Sequence, residues 1–408
     1  MATQSSSSPA YQRLLEQRDD DVVIVSAIRS AMTKGKKGGF KDTRPDFILS
    51  NVLHAVYSRV NLDPKLIEDV AVGNVLPPGG GASAARMASL HAGIPNTTAV
   101  NTVNRQCSSG LTAITQIANE IRAGQINIGI GAGVESMTHG FGSRAAPEIS
   151  DEILENQDAE DCLLPMGITS ENVAKDFGIS RQIQDEFAAN SFQKAAAANK
   201  AGKFKDEIVP IRTKFIDPKT EKEVEIVVDA DDGIRDGVTA QSLSKLKPAF
   251  TKDGCTHAGN ASQVSDGAAA VLLTRRSVAK KLGLPIVGKF VTSAVVGVPP
   301  RIMGVGPAFA IPKVLDLVGL NKDEVDFYEI NEAFASQAVF SVQHLKIPFE
   351  KVNINGGAIA MGHPLGCTGA RQVATGLNIA KQTGKRVFIT SMCIGSGMGM
   401  AGVFVSEH

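Results

Sequence analysis

Residues 48–74 read "ILSNVLHAVYSRVNLDPKLIEDVAVGN", and residues 310–331 read "AIPKVLDLVGLNKDEVDFYEIN". Each opens with apolar residues at helical spacing, passes through a polar turn with an acidic residue, and closes with a strand ending in Asn. A unit that returns in this form predicts two similar halves packed against each other. Working outward from the first copy, "DVVIVSAIRSAM" (21–32), "TAVNTVN" (98–104) and "INIGIGAGVESM" (126–137) read as strands, and "SSGLTAITQIANEIRAG" (108–124) as a helix with Gly124 as its stop. Around the second copy, "GKFVTSAVVG" (288–297) is a strand, "KVNIN" (351–355) is strand-like, and "RVFITSMCIGSGMGMAGVFV" (386–405) is a further strand region. The helices there are "EAFASQAVFSVQHL" (332–345) and "CTGARQVATGLNIAKQTG" (367–384). The alternation predicts a mostly parallel sheet covered by helices, with the strand ends of both halves around one crevice.

Between the two copies the chain turns charged and irregular. Residues 136–249 hold a helical "SRQIQDEFAANSFQKAAAANKAG" (180–202) and the segment "TKFIDPKTEKEVEIVV" (213–228), and they read as a loop domain inserted into the first half. The N-terminal half is then 22–135 plus 250–285, and the C-terminal half 286–408. Residues 1–21, a serine run followed by mixed charges, are expected to form a mobile tail because they carry too little apolar surface to order themselves.

Composition narrows the function. The 408 residues exceed what one core serves, and 40 glycines without any tryptophan fit tightly packed α/β layers. Lys plus Arg and Asp plus Glu both total 42, so no global field gathers nucleic acid or an anionic membrane, and an anionic ligand needs a local patch. No apolar run approaches the roughly 20 residues of a membrane span, and a soluble intracellular protein is expected. The five cysteines contain no C-x-x-C pair, which speaks against disulfide or zinc frameworks.

Four short stretches could carry chemistry. In "NRQCSSG" (104–110) Cys107 stands where a helix begins; free N–H groups there would lower a thiol pKa and accept an oxyanion, although a buried thiol reads equally well. In "NINGGAIAMGHPLGCTGAR" (353–371) His363 lies on a Gly-rich loop, read as exposed, where it is a general base or a structural histidine; Cys367 reads as packing. In "TSMCIGSGMGM" (390–400) Cys393 ends a strand before a glycine turn that presents a thiol and N–H groups, or is simply a buried residue beside a hairpin. In "EINEAF" (329–334) Asn331 either caps a helix or holds a water. "GIGAGV" (129–134) lies within a strand and lacks the dinucleotide spacing, so close packing explains it. His54, His91, His257 and His344 show no partner pattern.

Together, "NRQCSSG", "GNASQVSDGAA", "NEAFA", "GGAIAMGHPLGCTGAR" and "MCIGSGMG" resemble the thiolase family, in the same order and across nearly the whole chain from about residue 22. The segment "DCLLPMGITSENVAKDFGISR" (161–181) is most similar to the eukaryotic peroxisomal 3-ketoacyl-CoA branch. The resemblance implies an α/β fold of two βαβαβαββ halves in five α-β-α-β-α layers with an inserted loop domain that binds coenzyme A, assembled as a homodimer. It implies an acyltransferase of fatty acid β-oxidation that cleaves 3-ketoacyl-CoA with coenzyme A as a substrate, without metal or cofactor.

Residue by residue, Cys107 matches the acyl-accepting nucleophile, His363 its base, and Cys393 the thiol that moves the proton on the acetyl carbon. Asn331 matches the holder of a water for the thioester oxygen. The N–H groups of Cys107 and Gly395 match a second oxyanion hole. Arg235, Ser242 and Ser262 match coenzyme A-site positions, and Met166 a substrate-pocket methionine preceded here by Pro165, where acetoacetyl-specific relatives commonly carry His. A condensing acetoacetyl-CoA enzyme and a non-catalytic acyl-CoA carrier are the alternatives; a decarboxylating synthase would lack the second thiol. Peroxisomal residence, with an import receptor as a further partner, rests on the body of the chain. At the expected import-motif spacing Arg13-Leu14 is followed by Asp20-Asp21, which leaves the cytoplasm as the alternative.

Overall fold

A computed structural model describes residues 8–142 and 148–408. Its strands are β1 (Val22–Arg29), β2 (Thr33–Lys34), β3 (Asp69–Gly73), β4 (Ala99–Val103), β5 (Ile128–Ser136), β6 (Ile211–Ile216), β7 (Glu223–Val228), β8 (Ser265–Arg275), β9 (Gly288–Gly297), β10 (Phe327–Ile330), β11 (Val387–Ile394) and β12 (Met398–Ser406). In the first half β4 and β5 both pair parallel with β3, β8 pairs antiparallel with β5, and β1 pairs antiparallel with β8. The second half repeats the pattern. Val352 and β11 both pair parallel with β10, β12 runs antiparallel to β11, and β9 antiparallel to β12. The expected mostly parallel sheet is therefore mixed, and "KVNIN" contributes one bridge where the first half has β4. The halves join edge to edge where β1 pairs antiparallel with β9 through Val23↔Lys289 and Ile24↔Gly288.

Alternation along the strands builds the layers. In β1, Val23 and Val25 enter one core with Ile48, Val52 and Val56 of the helix Pro45–Ser58, while Val22 and Ile24 enter another. That second core lies between the halves. It holds Leu111, Ile114, Ile117 and Ile121 of the helix Ser109–Ala123 and Ala370, Val373 and Leu377 of the helix Thr368–Thr383. In β11 and β12, Val387, Ile389, Val403 and Val405 face a third core under the helix Gly306–Val318, and Phe388 and Phe404 face the middle one. Helix, sheet, paired helices, sheet and helix make five layers.

The middle helices meet closely. A Cβ at Gly369 would lie 2.3 Å from the Leu111 backbone nitrogen, and one at Gly110 would lie 2.8 Å from both the Gly366 oxygen and the Ala370 nitrogen. Glycine at these crossing points lets the two helix starts touch, and it places the residues preceding each helix beside one another. The glycines of "GIGAGV" act similarly: a Cβ at Gly131 would sit 2.5 Å from the Ile114 Cα, so β5 is packed flat under the helix Ser109–Ala123.

The chain leaves the sheet after β5 and re-enters it at β8, and the described part of residues 137–249 lies between them. This segment contains the helices Met166–Asp176 and Arg181–Lys200, the β6–β7 hairpin and a short helix, Ala240–Ser244. It is fastened to the first half by a buried ion cluster: Arg29 on β1 makes a two-pronged contact with Asp231 at 2.6 and 2.8 Å and reaches Glu207 at 2.6 Å, and Thr375 and Asn378 also bond Glu207. Residues 8–21 correct the expectation of a mobile tail. The helix Pro9–Leu15 sets Ala10, Tyr11, Leu14 and Leu15 against the third core, and Arg276 bonds both Asp21 and Glu407. Apolar residues at helical spacing were hidden there among serines and charges. No described helix is long and apolar enough to cross a membrane.

Candidate active site

The candidate residues gather at the C-terminal ends of parallel strands, where an α/β sheet exposes its loops. Cys107 follows β4, Asn331 follows β10, Cys393 is the penultimate residue of β11, and His363 precedes the helix Thr368–Thr383. Cys107 does not start its helix, which begins at Ser109. It sits on a tight turn in which Gln106 adopts φ +48°, a left-handed conformation rare for a residue with a side chain, and such strain persists only where the surroundings enforce it. The turn is locked by Ser109 Oγ, which donates to the Gln106 oxygen at 2.6 Å and accepts from the Arg105 N–H at 2.9 Å.

The Cys107 and Gly395 N–H groups both point at the Cys107 sulfur. Burial nevertheless pushes this thiol up to about 11, and the two donors offset only part of that. The expected lowering by a helix terminus does not occur, because loss of solvent outweighs it. Cys393 is fully buried, packed with Met303, Ala333 and Phe334; burial raises its thiol pKa too, and its proximity to Cys107 raises it further.

His363 is 4% exposed, contrary to its reading as an exposed loop residue. Burial and the positive Arg371 hold its pKa down at about 3. Its Nδ1 lies 2.6 Å from Thr368 Oγ1, whose own hydrogen goes to the Pro364 oxygen at 3.3 Å. That chain assigns the proton to Nδ1 and leaves a lone pair on Nε2, which the Asn331 amide nitrogen approaches at 3.4 Å. Thiol and imidazole are thus both held neutral. Asn331 is no helix cap, since the next helix starts at Ala335. Its backbone is clamped on both sides, by the Ser391 oxygen at 2.8 Å and Gln337 Nε2 at 2.7 Å, and its buried Oδ1 has no hydrogen-bond partner among the described residues.

Two carboxylates to which the sequence reading gave no role hold these loops. Glu332 accepts from Ser191 Oγ at 2.6 Å, Asn353 Nδ2 at 2.7 Å and the Ile359 N–H at 3.1 Å, joining the loop segment to the glycine loop ahead of His363. Glu135 accepts from the N–H groups of Val75, Leu76 and Gly366, tying the ends of β3 and β5 to the histidine loop. Neither could be given a role from the sequence, because their partners lie far along the chain.

The remaining expected positions lie further out. The Ser262 N–H donates to the Ala333 oxygen, two residues after Asn331, at 2.9 Å. Arg235 is exposed, its guanidinium 5.2 Å from the Phe192 ring; its segment is tied to the histidine loop by Gln263, which bonds the Gly233 and Ala360 oxygens. Ser242 lies in the short helix Ala240–Ser244, where it forms a reciprocal cap with Thr239. Met166 opens its helix one-third exposed. Neighbouring Gly167 lies against Phe250, whose ring meets Phe334, a neighbour of Cys393, edge-on at 6.3 Å. Among the described residues no group of three or more His, Cys, Asp or Glu side chains converges as metal ligands would.

Residues 22–277 match the family model of the thiolase N-terminal domain, and residues 284–406 that of the thiolase C-terminal domain. The chain belongs to the thiolase family. As a thiolase it is 56% identical, over 100% of its own length and 99% of the relative's, to a protein of Yarrowia lipolytica named 3-ketoacyl-CoA thiolase, peroxisomal. The dimeric peroxisomal thiolase of Saccharomyces cerevisiae superposes with a TM-score of 0.91 at 53% identity, covering 97% of this thiolase and 100% of that chain. Another structure of the peroxisomal 3-ketoacyl-CoA thiolase of that yeast, described as five-layered with two core domains of identical topology, superposes with a TM-score of 0.80 at 48% identity, covering 97% and 100%. The five layers and the duplicated halves of this thiolase agree with that description.

Proposed function

We propose that this thiolase is an acetyl-CoA C-acyltransferase that cleaves 3-ketoacyl-CoA with coenzyme A, giving acetyl-CoA and a shortened acyl-CoA in peroxisomal fatty acid β-oxidation. The observation that carries the proposal is a neutral His363, with its Nε2 lone pair beside Asn331, in the loop packed against the start of the Cys107 helix, while Cys393 couples to Cys107. His363 Nε2 takes the Cys107 thiol proton as sulfur adds to the C3 ketone. The C2–C3 bond then breaks, leaving acyl-Cys107 and the enolate of acetyl-CoA. His363 and a water held by Asn331 stabilise the enolate oxygen, and Cys393 protonates C2. The coenzyme A thiol passes its proton to the Cys393 thiolate and attacks acyl-Cys107. The N–H groups of Cys107 and Gly395 bind the oxyanion, and the departing Cys107 thiolate regains its proton from His363.

Arg235, Ser242 and Ser262 hold coenzyme A in this reading, and Met166 borders the acyl pocket, with Pro165 favouring longer chains than acetoacetyl. The 22–135/250–285, 136–249 and 286–408 divisions serve as the two halves and the coenzyme A loop domain, and no cofactor takes part. The dimeric yeast relative supports a homodimer, and the relatives' names support residence in peroxisomes, reached through an import receptor.

Thiolysis of acetoacetyl-CoA and a long-chain 3-ketoacyl-CoA by the purified protein, with mass spectrometry of Cys107, tests the proposal. Wild type should carry an acyl adduct on Cys107 and cleave both esters, with turnover abolished by Cys107→Ala and by Cys393→Ala. Undiminished cleavage by Cys107→Ala would remove the nucleophile assignment, and acyl-CoA binding without cleavage by wild type would make the protein a carrier.

A further inference from the structure

Between the loop segment and the chain that follows it lies a buried polar cluster that the reaction above does not use. Asp185, on the helix Arg181–Lys200, is 2% exposed, and its Oδ1 lies 2.7 Å from His257 Nε2 and accepts from Asn260 Nδ2 at 3.1 Å. His257 is completely buried, and its Nδ1 accepts from the Gly259 N–H at 3.0 Å, so its proton is on Nε2 and is donated to Asp185. The backbone N–H of His257 donates to Asn260 Oδ1 at 2.8 Å, and the Asn260 oxygen accepts from the Ala335 N–H at 2.8 Å. On its other side Asp185 takes Arg181 Nε at 2.8 Å. Arg181 Nη2 then gathers the oxygens of Leu243 at 3.0 Å and Leu246 at 2.8 Å, at the end of the helix that carries Ser242. Gly259 closes the circuit, because a Cβ there would lie 2.7 Å from both the Leu243 and Leu246 side chains.

Arg181 and Asp185, one helical turn apart, therefore hold two separate pieces of chain. One is the short helix bearing Ser242. The other is the turn 257–260, which runs on to Ser262 and is bonded to residues 333–335 just past Asn331. We propose that Arg181, Asp185 and His257 are positioning residues that fix the distance between the coenzyme A-binding loop and the Asn331 shelf, so that they govern use of the nucleotide part of the substrate and not the chemistry at Cys107. This rests on the assignment of Ser242, Ser262 and Arg235 to coenzyme A. A buried Asp185–His257 pair, bonded on both sides, gives the loop one geometry, and small displacements of a binding element far from the reacting atoms cost up to about 10²-fold in rate.

The test compares single-turnover acylation of Cys107 by a 3-ketoacyl-CoA with acylation by the same acyl group on N-acetylcysteamine, which lacks the nucleotide. For Asp185→Asn and His257→Leu, acylation efficiency from the coenzyme A ester should fall about tenfold or more. From the truncated ester it should stay within about twofold. His257→Gln, which keeps one donor and one acceptor, should restore most of the loss. Arg181→Gln leaves the buried pair intact and should show the same selective loss, which covers the case in which the buried variants fail to fold. Equal loss with both esters, or no loss with either, overturns the proposal. A wild type that uses both esters equally well would overturn the coenzyme A assignment itself, and the proposal with it.

Discussion

At the scale of single residues, protonation decides what the site can do. With its pKa near 11, Cys107 is a thiol at neutral pH, and the thiolate fraction grows about tenfold per pH unit until that value is approached. Its alkylation by iodoacetamide should therefore keep rising between pH 7 and pH 10, where a free cysteine would level off near its usual pKa of about 8.5. A plateau below pH 9 would show that the thiol is not raised. Thr368 is the second lever, because it fixes the proton on His363 Nδ1. Thr368→Val should lower kcat at least about tenfold with KM little changed, since a general base contributes about 10² or more only when its lone pair faces the reaction. Steady-state thiolysis measures both. Cys107, His363 and Cys393 stood out as candidates because each lies beside a Gly- or Ser-rich turn, and the roles proposed for them come from the family resemblance. Their pKa directions were not legible, because desolvation depends on what packs over them from distant segments, and linear spacing carries none of that.

At the scale of elements, Cys107 and His363 each precede one of a pair of helices that touch through glycine. Gly369→Ala would force a methyl group against the Leu111 backbone, which cannot rotate away. The helices should part by a few tenths of an ångström, lowering stability by about 1–3 kcal/mol and kcat along with it. Thermal melting and thiolysis of the same variant check both parts; unchanged values in both would mean that the contact yields freely. The helix Ser109–Ala123 could be read from its apolar stripe and its Gly124 stop, which does adopt the left-handed cap. Strand direction could not. β5 and β8 are buried on both faces almost throughout, so their sequences show no alternation that would separate a parallel from an antiparallel neighbour.

At the scale of the whole molecule, the two ends of the chain are tied together. Arg276, almost fully buried, bonds Asp21 near one end and Glu407 near the other, and the helix Pro9–Leu15 lies on the third core. Arg276→Met should strand these carboxylates and release the N-terminal arm, at a cost of about 3–5 kcal/mol. Trypsin should then cut after Arg13 or Arg18 well before the body of the protein is degraded; cleavage no faster than in wild type would show that the arm is held by its apolar contacts alone. The duplication was legible from its repeated helix, turn and strand. The arm was missed because composition averages over a segment, whereas four well-spaced apolar side chains are enough to dock one short helix.

The matching halves have one more consequence. Cys107 and His363 occupy the corresponding place in each, the run of chain between the second parallel strand and the middle-layer helix. In the proposed mechanism one of these equivalent positions supplies the nucleophile and the other the base. On that proposal neither half carries the complete chemistry, and two proteins encoded by a gene split between the halves should be active only when reunited.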